Sequence, residues 1–323
     1  MITVVGETLV DLIEETAGTM AAYPGGSPAN VATALARLGQ PTTLLTQIGY
    51  DAHGRMLRAY IEGNGVRLSQ QSILNLAQTS VATTHLNPKG QATYDFNIEW
   101  QAFPGQMVED AHGDCLHTGS LATVLQPGAD DVLALVRRAR PSTMISFDPN
   151  CRPSVTGDPI GARGRIDAFV SLSDVVKVSG DDLDWIYPGR PYQEAGRRWL
   201  ALGAHVVVVT LGELGAWAAT RRYEVEVAAH HTDVVDTVGA GDAFTAGMLA
   251  ALSEADLLKA ERRSTLAAAD RAVLTEVVEF AAEVAARTCA RRGANPPVRA
   301  ELSVPRAEVS LGMLRTRRGA EID

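Results

Sequence analysis

Apolar and polar positions follow two alternating periods along this chain. Apolar-rich runs at 2–6, 42–48, 114–118, 143–148, 174–178 and 205–210 read as strands. The stretch "VVVVT" at 206–210 is typical of a strand covered on both faces. Between these runs the spacing changes to that of helices, predicted over 28–38, 51–62, 128–139, 160–172, 192–202, 241–252 and 270–291. In the first of them Ser27 is placed to cap, Pro28 suits the opening position, Val31, Leu35 and Leu38 share a face, and Gly39 ends the run. In the last, Val273, Val277, Phe280, Val284 and Thr288 share a stripe. Strand–helix alternation on this scale predicts an α/β fold with a largely parallel sheet.

Two regions interrupt the alternation. Residues 79–98 read as two strands joined by a turn at Asn87-Pro88-Lys89-Gly90, and residues 8–16 add a further strand-like piece. Together they predict a small antiparallel sheet projecting from the main body as a lid. Beyond about residue 310 the chain becomes Arg-rich and aperiodic, so a loosely held tail is expected over 311–323.

Composition narrows the function without naming it. The 323 residues are 46% hydrophobic and 21% charged, ordinary for a globular protein. A formal charge of −9 argues against nucleic acid or an anionic membrane as a partner, although a local pocket can still hold an anion. Cys115, Cys151 and Cys289 are an odd set without metal-binding spacing and read as free thiols. With no leader pattern and no bilayer-length apolar run, a soluble cytoplasmic protein is expected.

The chemistry concentrates in "VVDTVGAGDAFTAG", residues 234–247. A dinucleotide fingerprint fails because Phe244 stands where its third glycine belongs, and no Walker-type loop occurs. Lys89, Lys177 and Lys259 are the only lysines, and none follows a glycine loop. Gly239, Ala240 and Gly241 can nevertheless turn their N–H groups toward one point, backed by the dipole of the helix that follows. Phe244 and Met248 would anchor that helix, and Gly247 would allow close packing. Asp242 stands in its first turn, where the dipole is expected to keep it ionised and able to accept a proton. An anion cradle beside a base is what phosphoryl transfer to an alcohol requires: the amides face the phosphoryl group and the carboxylate faces the hydroxyl.

These residues resemble the ribokinase-like (PfkB) family of carbohydrate kinases. "DTVGAGDAFTAG" resembles its C-terminal signature and "GGSPANVATALARLG" (25–39) its N-terminal one. "FDPNCRP" (147–153), "VVKVSGDDL" (175–183), "VTLGELGAW" (209–217) and "ARTCARRGANPP" (286–297) follow in family order. The resemblance spans about residues 1–300 and implies a three-layer α/β/α kinase domain over 1–310 with a small β-sheet lid, formed by about 8–16 and 79–100.

It also implies roles. Asp242 is similar to the catalytic base, with Gly239, Ala240 and Gly241 as the anion hole. Asp11, Gly25, Gly26 and Asn30 match positions that hold sugar hydroxyls, and Phe96 would close over the sugar. Arg152 matches an arginine near the phosphates. Lys177, Thr210, Gly212, Gly215 and Asn295 fall on the nucleotide side. ATP and Mg²⁺ are the implied cofactors. Ser179 and Asp182 stand where the family often has Asn-x-x-Glu, so Asp182 would reach Mg²⁺ through water. Asp236, Val238, Thr288, Arg291 and Gly293 match positions around a monovalent cation, K⁺ in many relatives, although Pro297 replaces a serine found in some.

The lid offers only Lys89 for a phosphorylated substrate, which favours an unphosphorylated sugar. The motifs most resemble fructokinases, implying transfer from ATP to a primary hydroxyl, O6 of D-fructose. A 2-keto-3-deoxygluconate kinase, a nucleoside kinase using Phe96 and Trp100 as a platform, and a non-catalytic sugar- or nucleotide-binding regulator stay open. Open lid edges suit a homodimer.

Overall fold

The computed structural model describes residues 1–16, 19–86, 92–103 and 113–302. The expected turn at 87–90 and the expected tail at 311–323 lie outside the described residues.

The chain opens with β1 (Ile2–Val5), β2 (Leu9–Thr16) and β3 (Thr19–Gly25), then helix α1 (Ser27–Arg37). Next come β4 (Thr42–Leu45), β5 (Gln47–Gly49) and α2 (Ala52–Gly63). Short strands β6 (Arg67–Leu68) and β7 (Ile73–Leu76) lead to the pair β8 (Val81–Leu86) and β9 (Ala92–Asn97). Then follow β10 (Cys115–Gly119), α3 (Gly128–Ala139), β11 (Met144–Asp148), α4 (Pro153–Thr156) and α5 (Pro159–Leu172). β12 (Val175–Ser179), α6 (Gly180–Ile186), α7 (Tyr192–Leu202) and β13 (Val206–Thr210) continue the alternation. The last elements are β14 (Ala216–Ala219), β15 (Glu224–Val227), α8 (Ala240–Glu254), α9 (Arg263–Ala267) and α10 (Arg271–Cys289).

Nine strands form the central sheet in the order β15-β14-β13-β12-β11-β10-β1-β4-β6. Pairing is parallel from β6 through β13, and β14 and β15 close one edge antiparallel. The strand side chains divide between two buried clusters. Val206 and Val208 join the helices α1, α8 and α10 on one face, while Val207 and Val209 join α3, α5 and α7 on the other. The uniform apolar run 206–209 thus reflects burial on both faces. Within the first cluster α8 packs against both α1 and α10, and Gly247 lets α10 approach so closely that a Cβ there would stand 2.9 Å from the Cα of Ala281.

The lid differs from expectation. It has four strands, ordered β3-β2-β8-β9, with β2 and β8 parallel at its centre. The antiparallel pairs are β2–β3 and β8–β9. β3 went unforeseen because "TMAAYPG" carries small residues and a proline instead of β-branched alternation; its edge position is what admits Pro24. The run at 42–48 is also broken, with β4 staying in the main sheet while β5 pairs with β7. Among the described residues no helix is long and apolar enough to cross a membrane.

Candidate active site

The strand order reverses at β1, whose neighbours are β4 and β10, so the connections leave it in opposite directions. Crevices at such points open beyond the C-terminal ends of the strands. Around this end of the sheet gather the starts of α1 and α8, the loop after β11 and the base of the lid.

Helix α8 begins where a left-handed residue is needed. Gly239, its N-cap, has φ 75°, and a Cβ there would fall 2.6 Å from that of Ala294. Three residues on, the Asp242 side chain is buried beneath α1. Ser27 Oγ donates to Asp242 Oδ1 at 2.7 Å and Asn30 Nδ2 to Oδ2 at 2.9 Å. Ser27 therefore does not cap α1: the N-cap is Gly26 at φ 99°, where any Cβ would meet the Glu7 carbonyl oxygen at 2.7 Å. The serine hydroxyl is free to hold the carboxylate instead.

Burial pushes the Asp242 carboxyl above the ordinary aspartate range, against the pull of Ser27, Asn30 and Lys177. Desolvation, which the expectation from the helix dipole left out, is the largest influence on this carboxyl and exceeds the effect of its two neutral donors. The consequence is a stronger base than a surface aspartate.

Lys177 lies beneath the same helix start. A Cβ on Gly241 would sit 3.0 Å from its Nζ, so this glycine leaves the ammonium directly against the turn Gly239–Gly241. The ammonium is buried and donates to Asp148 Oδ2 at 3.0 Å. Burial works against its charge, but Asp148, Asp242 and Asp182 outweigh burial and raise its pKa. Positive charge and helix N–H groups thus converge on one spot. Asp148 also takes the Thr245 hydroxyl of α8 at 3.4 Å, which ties the strand end to the helix. On its far side lies His117, wholly buried against Ser146 at 3.0 Å and driven down to about 4 by burial.

After β11 the chain turns through Asn150 to Arg152. Arg152 Nη1 donates to Asn150 Oδ1 at 2.6 Å and to the Cys151 carbonyl at 3.0 Å. Asp182 Oδ1 accepts from the Cys151 amide at 3.0 Å, and burial, with Asp148 nearby, raises its pKa. From the lid, Asp11 is mostly buried and is raised to about 6 by desolvation, countered by Arg152 and reinforced by Asp242. Gly25, on the adjacent strand, provides the space: a Cβ there would overlap Asp11 Oδ2 at 2.1 Å. The site therefore brings together Asp11, Gly25, Gly26, Asn30, Arg152, Lys177, Gly239, Ala240, Gly241 and Asp242.

Other expected residues stand apart or are already engaged. Phe96 is half-buried in the lid opposite Ala82. Trp100 is buried in the core, edge-on to Phe103 with ring centroids 5.4 Å apart, and is no platform for a nucleoside. Thr210 ends β13 and donates to the Val178 carbonyl at 3.4 Å, and Gly212 and Gly215 bound the short turn that follows. Asn295 is exposed, with its side-chain oxygen taken by Arg37 at 2.6 Å. Asp236 accepts from the amides of Val238 at 3.0 Å and Gly293 at 2.8 Å, which binds together two loops of cation-candidate residues. Thr288 is buried at the end of α10, and Arg291 reaches away to Glu301.

Sequence reasoning passed over Ser27 as a carboxylate donor, and also Glu7, Asp148 and Asn150. Glu7 is buried just past β1, where it accepts from the Ala122 amide at 3.0 Å, and its pKa is raised by burial. The signal available for Glu7 and Asp148 was a polar residue at the C-terminal end of an otherwise apolar parallel strand.

A parallel α/β sheet with an ammonium, helix N–H groups and a buried carboxylate at one point, faced by a second carboxylate on a β-sheet lid, has the features of a phosphotransferase site for an alcohol acceptor. The comparison with known proteins makes this specific. The pfkB family of carbohydrate kinases matches residues 1–301, and the chain belongs to that family. A fructokinase from Rhizobium leguminosarum bv. trifolii is 37% identical over 277 residues, covering 82% of this chain and 84% of the relative. A fructokinase from Vibrio alginolyticus is 31% identical over 256 residues, covering 77% and 83%. Among solved structures, a double mutant of the Vibrio cholerae O395 fructokinase with fructose, ADP and potassium bound superposes with TM-score 0.74 at 26% identity, covering 91% of this chain and 93% of that one. The Salmonella enterica aminoimidazole riboside kinase, with its riboside and an ATP analogue, gives 0.73 at 27%, covering 91% and 94%.

Proposed function

We propose that this chain transfers the γ-phosphoryl group of ATP to O6 of D-fructose. The observation that carries the reading is Asp242: a buried carboxylate with raised proton affinity, beside a glycine turn backed by Lys177 and across from Asp11. In this reading Asp11, Asn30 and the main chain at Gly25–Gly26 hold sugar hydroxyls, and Phe96 covers the ring. Asp242 takes the proton of the attacking hydroxyl, which lets oxygen bond to phosphorus as the bond to ADP breaks. The amides at Gly239–Gly241, with Lys177 behind them and Arg152 opposite, hold the charge of the moving group. Thr210, Gly212, Gly215 and Asn295 form the nucleotide side. The fructokinase relatives support the choice of acceptor.

The residues present also fit two cations. Asp182 keeps one carboxylate oxygen unused by the Cys151 amide, and among the described residues no cluster of acidic or histidine side chains stands ready to enclose a metal. That suits Mg²⁺ held by water and phosphate oxygens, with Asp182 orienting a bound water. Such an ion neutralises phosphate charge. Oxygen donors on the loops joined by Asp236, with Val238, Thr288, Arg291 and Gly293, suit a weakly hydrated monovalent ion such as K⁺, and the potassium-bound Vibrio cholerae structure supports this assignment. The open edges β3 and β9 of the lid suit pairing in a homodimer.

The test is ADP release with Mg-ATP against fructose, ribose, glucose, 2-keto-3-deoxygluconate, adenosine and inosine, with Asp242→Asn as control. Fructose-dependent turnover that vanishes in the variant is the expected result. Turnover on another acceptor replaces the sugar and keeps the chemistry. Fructose binding without ADP release overturns the catalytic reading.

A further inference from the structure

Asn150, two residues beyond β11, has φ 37°, in the left-handed region although it is not glycine. Non-glycine residues in that region cost free energy and persist only where their surroundings hold them. Here the holder is Asp148, whose Oδ1 accepts from the Asn150 amide at 3.1 Å and whose Oδ2 is fixed by Lys177 at 3.0 Å. The side chain then reaches two charged groups of opposite sign. Its Oδ1 accepts from Arg152 Nη1 at 2.6 Å, and its Nδ2 faces Asp242 Oδ1 at 3.5 Å. Arginine can only donate, so its contact fixes which end of the amide is oxygen and turns the NH₂ toward the base.

We propose that Asn150 is a positioning residue that couples the Arg152 guanidinium to the Asp242 carboxylate. This rests on the kinase reading above. A carboxamide is suited to the place because it offers an acceptor to a cation and a donor to an anion within one short, planar group. An aspartate keeps the first contact and turns the second into repulsion; an alanine keeps neither. The 3.5 Å separation is at the outer limit of a hydrogen bond and is of the kind that tightens when substrate fills a site. The left-handed backbone is what aims the amide: with an ordinary φ the side chain would leave this line.

The charged groups acting on Asp242 are Lys177 from β12, Asp148 from β11 and Asp11 from the lid, while the neutral donors are Ser27 and Asn30 from α1. Asn150 adds a third neutral donor from a separate segment, and it alone of the three also touches Arg152.

Two variants separate backbone from side chain. Asn150→Gly accepts the left-handed φ and deletes the amide; Asn150→Asp keeps the Arg152 acceptor and deletes the donor to Asp242. The wild-type protein is first assayed for ADP release on the acceptor panel, which tests the kinase reading by itself. In parallel, the Asp242 carboxyl is titrated by ¹³C NMR in the wild-type and both variants, which needs no turnover. The expected result is a kcat about ten- to a hundredfold lower in Asn150→Gly with the fructose KM little changed. In Asn150→Asp the Asp242 titration should move up by about one pH unit, with the acid limb of kcat/KM following it. Wild-type kcat in Asn150→Gly, or an Asp242 titration unmoved in both variants, overturns the coupling. A wild-type protein inactive on every acceptor overturns the kinase reading, and the titration still decides the role of Asn150.

Discussion

Strands β11 and β12 carry a buried carboxylate with a cationic partner at each end, and the two pairs are built on different terms. At the N-terminal edge, Asp174 takes Arg263 Nε at 2.8 Å on one oxygen and the Ile145 amide at 2.8 Å on the other. Arg263 completes its own bonding with the carbonyls of Arg140 and Thr143, both at 2.5 Å. Charges and donors balance there, and the pair clamps strand starts to helix α9. At the C-terminal edge one ammonium, Lys177, serves Asp148, Asp182 and Asp242 together. Burial raises the pKa of Asp182 and of Asp242 despite it. The first arrangement is finished by the fold alone. The second sets Asp148, Asp182, Asp242 and Asp11 against only Lys177 and Arg152, more negative charge than the fold itself compensates. Uncompensated burial of charge is costly to stability, so its concentration at one end of a sheet marks where function has overruled stability.

The strongest break of this comparison comes from Asp242→Asn. Removing the base should lower kcat by about a thousandfold or more, within the range for loss of general-base catalysis, with ATP KM nearly unchanged. Steady-state kinetics on the accepted sugar check it, and a drop of only about twofold would reduce Asp242 to a structural acid. Next come the cations. Lys177→Met and Arg263→Met each strand a buried carboxylate and should each cost about 3–5 kcal/mol in urea unfolding. Only Lys177→Met should also lower kcat, by about a hundredfold, when both are assayed cold enough to be folded. Equal kinetic losses would erase the distinction between the two ends.

A smaller effect follows from pH. With Asp242 as the proposed base, its raised pKa leaves it protonated, and idle, at pH values where a surface aspartate is still ionised. The acid limb of kcat/KM should therefore lie above the ordinary aspartate range, and activity should fall as pH drops through it. Asp11, at about 6, should add an inflection in sugar affinity, with KM rising below that pH as the carboxylate becomes a donor; Asp11→Asn should flatten it. Stability runs the other way. A carboxyl raised in the folded state favours folding below its unfolded pKa, and that contribution is lost as pH rises through about 6, so Asp11→Asn should be more stable than wild type at pH 8 by thermal melting. The smallest change is Gly241→Ala, whose methyl would meet Lys177 Nζ at 3.0 Å. It should displace the ammonium slightly, lower kcat by about tenfold and leave Tm close to wild type. Unchanged kinetics would show that the close approach of Lys177 to the turn is not used.

Much of this was legible in the linear chain. Apolar runs are long-lived signals because parallel strands are covered on both faces, so β1, β10, β11, β12 and β13 stand out. The glycine pair and acid at 239–242 are a local device, readable because backbone conformation and helix start are set by adjacent residues. β3 and the parallel β2–β8 pairing were not readable, since an edge strand of small residues carries no period and pairing direction is a property of two distant segments. The same reason hid the surroundings of Asp242. The carboxylate itself was evident, but its donors Ser27 and Asn30 lie more than two hundred residues away in sequence. Lys177, expected on the nucleotide side, is in addition a buried counter-ion of Asp148, a feature set by desolvation and by which carboxylates face it. Local sequence determined the elements, the glycine turn that opens α8 and the acid in its first turn. Only the packing of α8 against α1 and the strand ends decided how strongly that acid holds its proton, because burial and charge depend on neighbours brought together in space.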